Sequence, residues 1–331
     1  MSIVSLNCPV CKNYKFDTFK DVFDDRFGEP NQYKLAKCTR CNHISTFPRL
    51  KEQDLGKLYE KYYPRKYINH EQIFKKANKD FSPLSNFLYW FKGINNQGHF
   101  YSKKGEMVLD IGCGDCSSLI EINNLGAKAF GIEADSNIKS IAKSLNLKVH
   151  FGSVEDNPFS GRKFDLIVMN QVIEHIPEPD KCIRIIKRRL SKNGRIIFVF
   201  PNRNSFWNKI TGIKWINWHI PYHLHHFNKK NFQTMIENSG LKITNTKTIT
   251  PNVWTILQIR HFFHNHKRGV PNYLWKEKKD KNPKIRKREQ KKIFLKGLLS
   301  IILFICLGFF NRLIDFLNVG DSLMLEVKIK K

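Results

Sequence analysis

An α/β fold, built on a parallel sheet with helices covering both faces, is what this sequence predicts. From Gly105 onward, short apolar runs alternate with helical stretches: MVLDIG, AKAFGIEA, KVHFGS, FDLIVMN and RIIFVFPN. Strands buried on both faces read as such runs, and the βα alternation implies parallel pairing. The first run passes into a loop with two glycines, Gly112 and Gly114, at the strand end where open α/β sheets bind their ligands. With 331 residues, 41% of them hydrophobic, the chain can bury one core of ordinary size plus a smaller module.

The smaller module comes first, over residues 1–50. Cys8 and Cys11 (CPVC) and Cys38 and Cys41 (CTRC) form two close pairs with 26 residues between them. Each C-x-x-C turn points two thiolates at one ion, and two such knuckles complete the tetrahedral sulfur shell of a structural zinc. So short a ribbon buries too little to fold well alone, and the metal is expected to supply much of its stability. Met1 to Val10 lacks a basic start followed by a long apolar run, so a cytoplasmic location is expected, where cysteines serve as ligands more often than as disulfides. Residues 51–104, with LYEKYYPRKY and FSPLSNFLYWFKG, read as a helical connector or lid.

The sheet occupies residues 105–331. After the strand at Met107 to Asp110, Gly112 and Gly114 let the backbone turn tightly and approach a ligand. A glycine pair alone fits a dinucleotide as well, and two carboxylates separate the cases. Asp110 sits at the strand end, where it suits a cationic group and would repel a pyrophosphate. Glu133 follows Gly112 by 21 residues at the end of the second strand, placed to accept from both ribose hydroxyls. One nucleoside, one positive tail and no phosphates describe S-adenosylmethionine.

From Val108 to about Asn245 the chain resembles the class I S-adenosylmethionine-dependent methyltransferases, on VLDIGCGDC, FDLIVMNQVIEHIPEP, LSKNGRIIFVFPN and PYHLHHFN. With the zinc ribbon in front, it is similar to bacterial methyltransferases of sugar and cell-surface glycan pathways. The resemblance implies a Rossmann-like seven-stranded sheet. It also implies that Asp110, Gly112, Cys113 and Gly114 hold the methionine end of the cofactor, Glu133 the ribose, Ser153 and Val154 the adenine, and Asn170 the amino group through its backbone. An acid is commoner than Ser153 at its position, which points to Glu155 or Asp156 for the adenine amine. Cys116 stands where the usual loop has its third glycine.

The sulfonium is already activated, so the enzyme must align an acceptor and remove its proton. Candidate bases follow the fourth strand, Glu174 and His175, and the fifth, His223, with His225 and His226 beside it. Histidine suits the task because its unperturbed pKa is near neutral. Gln171 occupies the first acidic position of an E-x-x-E-H metal motif used by some relatives, which argues against a divalent ion there. The aromatic stretch SFWNKITGIKWINWHIPYHLHHF, with Trp207, Trp215 and Trp218, is the expected acceptor wall, ordinary core packing being the alternative.

LKITNTKTIT and SLMLEVKIKK are read as strands six and seven, which makes Pro251 to Asp321 an insertion of 71 residues. Its first part, His266 to Lys296, carries 13 Lys and Arg against three acids; its second, Gly297 to Phe310, is 14 residues without a charge. Fourteen fall short of the roughly 20 that span a bilayer. Lys292, Lys296, Ser300, Asn311, Asp315 and Asn318 fall on one side of a helix, so a basic, in-plane amphipathic segment is expected to meet the inner face of the membrane peripherally over 266–318, with a helix packed on the core as the alternative. Fifty-seven Lys and Arg against 29 Asp and Glu leave a net charge of +28, which with the ribbon also suits an rRNA or tRNA methyltransferase. No N-P-P-[YFW] motif supports that alternative, since Asn170 continues as NQVIEH. A small-molecule or glycan acceptor is the leading expectation.

Overall fold

The computed structural model describes residues 7–62, 73, 77, 82–95, 97–156, 158–275 and 304–330. A four-stranded antiparallel sheet opens the chain with β1 (Phe16–Phe23), β2 (Gln32–Cys38) and β3 (Ile44–Phe47). Its fourth strand arrives from far along the sequence: β9 (His225–His226) pairs Ser45 with His225 and Ile44 with His226. The helix α1 (Glu52–Tyr62) follows β3, and α2 (Pro83–Lys92) lies beyond it. Ser82 caps α2 by accepting from the Ser85 N–H, and Gly93 ends it in the left-handed conformation at φ 69°.

The expected seven-stranded α/β sheet is present. It comprises β4 (Met107–Ile111), β5 (Lys128–Glu133), β6 (Val149–Phe151), β7 (Phe164–Asn170), β8 (Leu190–Pro201), β10 (Leu241–Ile249) and β11 (Ser322–Ile329), in the order β10-β11-β8-β7-β4-β5-β6. β11 runs antiparallel between β8 and β10, while β4 pairs in parallel with both β5 and β7. The order reverses at β4, and the crevice beyond the carboxyl ends of β4 and β7 is the place such a sheet offers a ligand.

Each central strand is apolar on both sides because both are covered. Leu166 and Val168 of β7 join Leu119 and Ile122 of α3 (Ser117–Asn124) and Ile141 of α4 (Lys139–Ser144) in one core. The alternate residues Ile167 and Met169 join Ile183 and Ile186 of α5 (Pro179–Lys187) and Phe232 and Met235 of α7 (Lys229–Asn238) in the other. The short α6 (Phe206–Thr211) leads out of β8, capped by Ser205. A third core joins the ribbon to the sheet: Tyr33, Leu35 and Leu50 pack with Leu55 and Leu58 of α1 and with Trp215, Trp218 and Tyr222. Hydrogen bonds from Asn231 to the Cys41 carbonyl, from Asn238 to the Val10 carbonyl and from Arg203 to the Asn42 carbonyl add to the joint.

Between β10 and β11 the chain forms α8 (Asn252–Phe262) and a helix over residues 304–316, here α9. Of the expected polar stripe, Asn311 and Asp315 face the body while Asn318 is exposed. Asn311 is buried against Thr255 and Asn252, and Asp315 accepts from the Thr250 hydroxyl and N–H. Lys292, Lys296 and Ser300, like residues 276–303 as a whole, lie outside the described residues. Among the described residues no helix is long and apolar enough to cross a membrane.

Candidate active site

A cavity of about 1270 Å³ opens at the carboxyl ends of β4, β5 and β7. A site for one drug-sized ligand occupies roughly 300–1,000 Å³, so this volume accommodates two molecules side by side. One end is built by the sheet: Gly112, Glu133, Ser153, Val154 and Asn170 all line it, with Glu155. The other end is built by Arg26, Tyr59, Trp254, Leu257, Trp275 and the segment that carries His219 and His223.

At the first end the backbone is held in conformations that favour glycine. Gly112 has φ +73°, and a β-carbon there would lie 2.4 Å from a Val172 methyl; Gly114 has φ +57° with open space around it. Cys116 adopts φ 64°, the left-handed conformation, which gives the family's usual glycine at this position a steric reason. The Glu133 carboxylate is fixed by two backbone donors, the N–H of Gly114 at 2.8 Å and that of Asp135 at 3.0 Å, and it faces the cavity.

Not every expected cofactor residue reaches the cavity wall. Asp110 is buried beneath the glycine loop, where burial pushes its carboxyl up to about 6 and its Oδ1 has no hydrogen-bond partner. Cys113 turns its sulfur into the core, against Gly131 and Leu119. Asn170 uses its side chain to accept from the Gly98 N–H at 2.8 Å, which pins the turn Gly98–Tyr101 over the end of β7. In that turn His99 pairs with Glu121 at 2.5 Å, both nearly inaccessible, a contact between distant segments with no local sequence signal. Of the two acids proposed beside Ser153, Glu155 lines the cavity and Asp156 turns away to His150 and to the Ser153 N–H.

The candidate bases separate into two groups. His175 and His223 line the cavity, with Glu174 buried behind them, and the three place donor atoms within 4.8 Å of one another. His175 Nδ1 lies 2.9 Å from both the Tyr222 carbonyl and the Tyr59 hydroxyl, and the tautomer that donates to the carbonyl carries its lone pair on Nε2. His223 repeats the arrangement, its Nδ1 donating to the Asn217 carbonyl at 2.8 Å. Burial holds His223 well below the ordinary histidine range, so it stays neutral and able to accept. Both Nε2 atoms lie 3.9 Å from Glu174 Oε1. Burial pushes Glu174 up to about 8, so at neutral pH it is the uncharged acid.

His225 and His226 belong to the fold. They form β9, and His225 faces His43 and the Pro177 carbonyl while His226 meets the Thr46 hydroxyl. The tryptophan wall also dissolves: Trp215 donates to Asp321 and Trp218 to the Gly212 carbonyl, both buried in the ribbon–sheet core. Trp207 packs edge-on against Phe206 and Phe310 and does not line the cavity. Ile216, Asn217, His219 and His223 alone represent the stretch in the cavity. The aromatic surfaces come instead from Tyr59, Trp254 and Trp275, with the Arg26 guanidinium 4.0 Å over the Trp275 ring.

In the ribbon, Cys8, Cys11, Cys38 and Cys41 converge, with Sγ–Sγ distances of 3.5 Å for Cys8–Cys41 and Cys11–Cys38. Four sulfurs around one zinc at about 2.3 Å sit about 3.8 Å apart, so the cluster could hold that ion with small adjustments.

Comparison with known proteins bears on the sheet and leaves the ribbon aside. Residues 86–246 match the family described as "Methyltransferase domain" (Methyltransf_23). A ubiquinone biosynthesis O-methyltransferase of Coxiella burnetii is 24% identical over 152 residues, 42% of this chain and 65% of that one. The same-named protein of Paraburkholderia phymatum is 25% identical over 195 residues, 54% of this chain and 82% of that one. Against other Coxiella strains the match spans 46% of the relative, so this chain covers from about half to just under two thirds of those proteins. Among solved structures, a SAM-dependent methyltransferase from Archaeoglobus fulgidus aligns with 84% of this chain and all of that one, at 13% identity and a TM-score of 0.42. The match to the methyltransferase family model falls on residues 86–246, the part of the chain that holds the glycine loop after β4 and the strands β4 to β8.

Proposed function

We propose that this chain transfers a methyl group from S-adenosylmethionine to a hydroxyl of a sugar or lipid-linked glycan intermediate. The observation that carries the reading is the charge of the cavity. In a protein of net charge +28, the cavity wall holds six carboxylates, Glu52, Glu60, Glu133, Asp135, Glu155 and Glu178, against two cations, Arg26 and Lys51, with Lys181 pairing Glu155 and Glu178 from beside it. Such a field favours a ligand carrying a sulfonium and an ammonium and disfavours a dinucleotide. Gly112 removes the β-carbon that Val172 would exclude, and Glu133, held by two N–H groups, is set to accept from a ribose. Bound there, S-adenosylmethionine supplies an activated methyl group.

The remaining chemistry falls to the chain's own residues. A hydroxyl acceptor must lose a proton as it is methylated, and the His175 imidazole on the cavity wall is placed to take it. Trp254, Trp275 and Tyr59 offer flat apolar faces on which a sugar ring stacks, and Arg26 supplies one positive charge for an acidic substituent or phosphate. Two relatives named as O-methyltransferases agree with oxygen as the acceptor atom. A role in cell-surface polysaccharide synthesis follows from the acceptor class and from the ribbon-plus-core arrangement.

The test supplies purified protein with methyl-labelled S-adenosylmethionine and an extract of cells that lack it. Label is expected in the glycan-intermediate fraction, in compounds one CH₂ heavier than their precursors. Label in no fraction would overturn the proposal, and label confined to RNA would replace it with the RNA-methylating alternative.

A further inference from the structure

α2 and α9 lie against each other on the outside of the sheet domain, with the Phe91 and Phe309 ring centroids 5.2 Å apart and Gly308 admitting the Phe91 ring. Together they expose large apolar side chains: Leu84, Phe87 and Trp90 on α2, and Phe309, Leu313 and Phe316 on α9. Phe316 is 83% exposed, Leu84 69% and Phe309 68%, values unusual for single scattered residues and here contiguous along two helices. Positions 309, 313 and 316 follow helical spacing, so they form one outward stripe.

The stripe cannot turn inward, because the opposite side of α9 is fastened to the body by its polar groups. Asn311, with no exposed surface, accepts from the Thr255 hydroxyl and donates to Asn252, both at 2.9 Å. Arg312 donates to the Trp90 carbonyl of α2 and the Thr250 carbonyl, and pairs with Asp315 at 2.8 Å. Rotation of α9 to bury its phenylalanines would strip these buried groups of their partners. α9 therefore buries Asn311 and Arg312 beside Ile314 and leaves Phe309, Leu313 and Phe316 outside.

We propose that the face formed by α2 and α9 docks on an anionic lipid surface. Charge decides the occupant. Lys276 to Lys296, which lead in sequence toward α9, hold 11 Lys and Arg against three acids, and the whole chain carries +28. Aromatic and aliphatic side chains enter the headgroup boundary, and a basic chain is drawn to anionic headgroups. The position also suits a membrane-borne acceptor. α8 lies between the face and the cavity, with Asn252 and Thr255 bonded to α9 and Trp254 and Leu257 lining the cavity.

The experiment is flotation of the full chain with phosphatidylcholine vesicles, with and without phosphatidylglycerol, at low salt. The chain is expected to float with the anionic vesicles. The double variant Leu313→Ser, Phe316→Ser should partition about tenfold less or worse, with an unchanged melting temperature because both side chains are already exposed. Three results would overturn the proposal. The full chain stays at the bottom with anionic vesicles; the double variant floats as well as the wild type; or the wild type is a dimer that the variant makes monomeric, so that a second copy covers the face.

Discussion

His175→Ala is expected to lower turnover by about 10²- to 10⁴-fold while leaving cofactor affinity unchanged. The expectation rests on hydrogen-bond accounting. In the tautomer that donates Nδ1–H to the Tyr222 carbonyl, Nε2 carries the lone pair that takes a proton from the acceptor. His223 donates its Nδ1–H to the Asn217 carbonyl and lies deeper, at 5% exposure. Glu174, pushed up to about 8 by burial, adds no negative charge beside the two imidazoles at neutral pH, and burial holds His223 uncharged. His223→Ala should therefore reduce turnover too, and its pH profile should shift if His223 tunes His175. Full activity of both single variants on the acceptor would remove the assignment.

The second large effect concerns the ribbon. One zinc per chain is expected by elemental analysis of protein purified without chelator, bound by Cys8, Cys11, Cys38 and Cys41. Structural zinc contributes about 10 to 16 kcal/mol in small modules, so Cys8→Ser with Cys38→Ser should unfold the ribbon. The consequence reaches the active site, because β3 of the ribbon pairs with β9 two residues after His223, and Trp215, Trp218 and Tyr222 share the ribbon's core. Metal loss should thus abolish turnover while β4 to β8 keep their secondary structure. Zinc well below one per chain, or full activity after its removal, would contradict this.

The sheet was legible in the sequence because its strands are buried on both faces, which writes them as unbroken apolar runs such as LIVM in β7 and IIFVF in β8. The glycine loop and Glu133 were legible for a similar reason, since their spacing is set by one strand, one helix and the next strand. The other end of the cavity was not. Arg26, Tyr59, Trp254 and Trp275 come from four distant segments, and no local period joins them. Trp215 and Trp218 misled because an aromatic insertion reads the same whether it faces a ligand or, as here, the ribbon. His225 and His226 sit in a strand of two residues whose partner is remote in sequence. The polar stripe of α9 was visible, but which way it faces depends on Thr250, Asn252 and Thr255, some 60 residues earlier.

The central claim is that the acidic cavity at the ends of β4, β5 and β7 holds S-adenosylmethionine, with Glu133 on the ribose. Calorimetric titration of the wild type and of Glu133→Ala with S-adenosylmethionine tests it most directly. The account predicts saturable binding to the wild type and a loss of roughly 1.5 to 3 kcal/mol in the variant, the scale of hydrogen bonds to a charged group. No binding to the folded wild type, or the same affinity in both proteins, would contradict it.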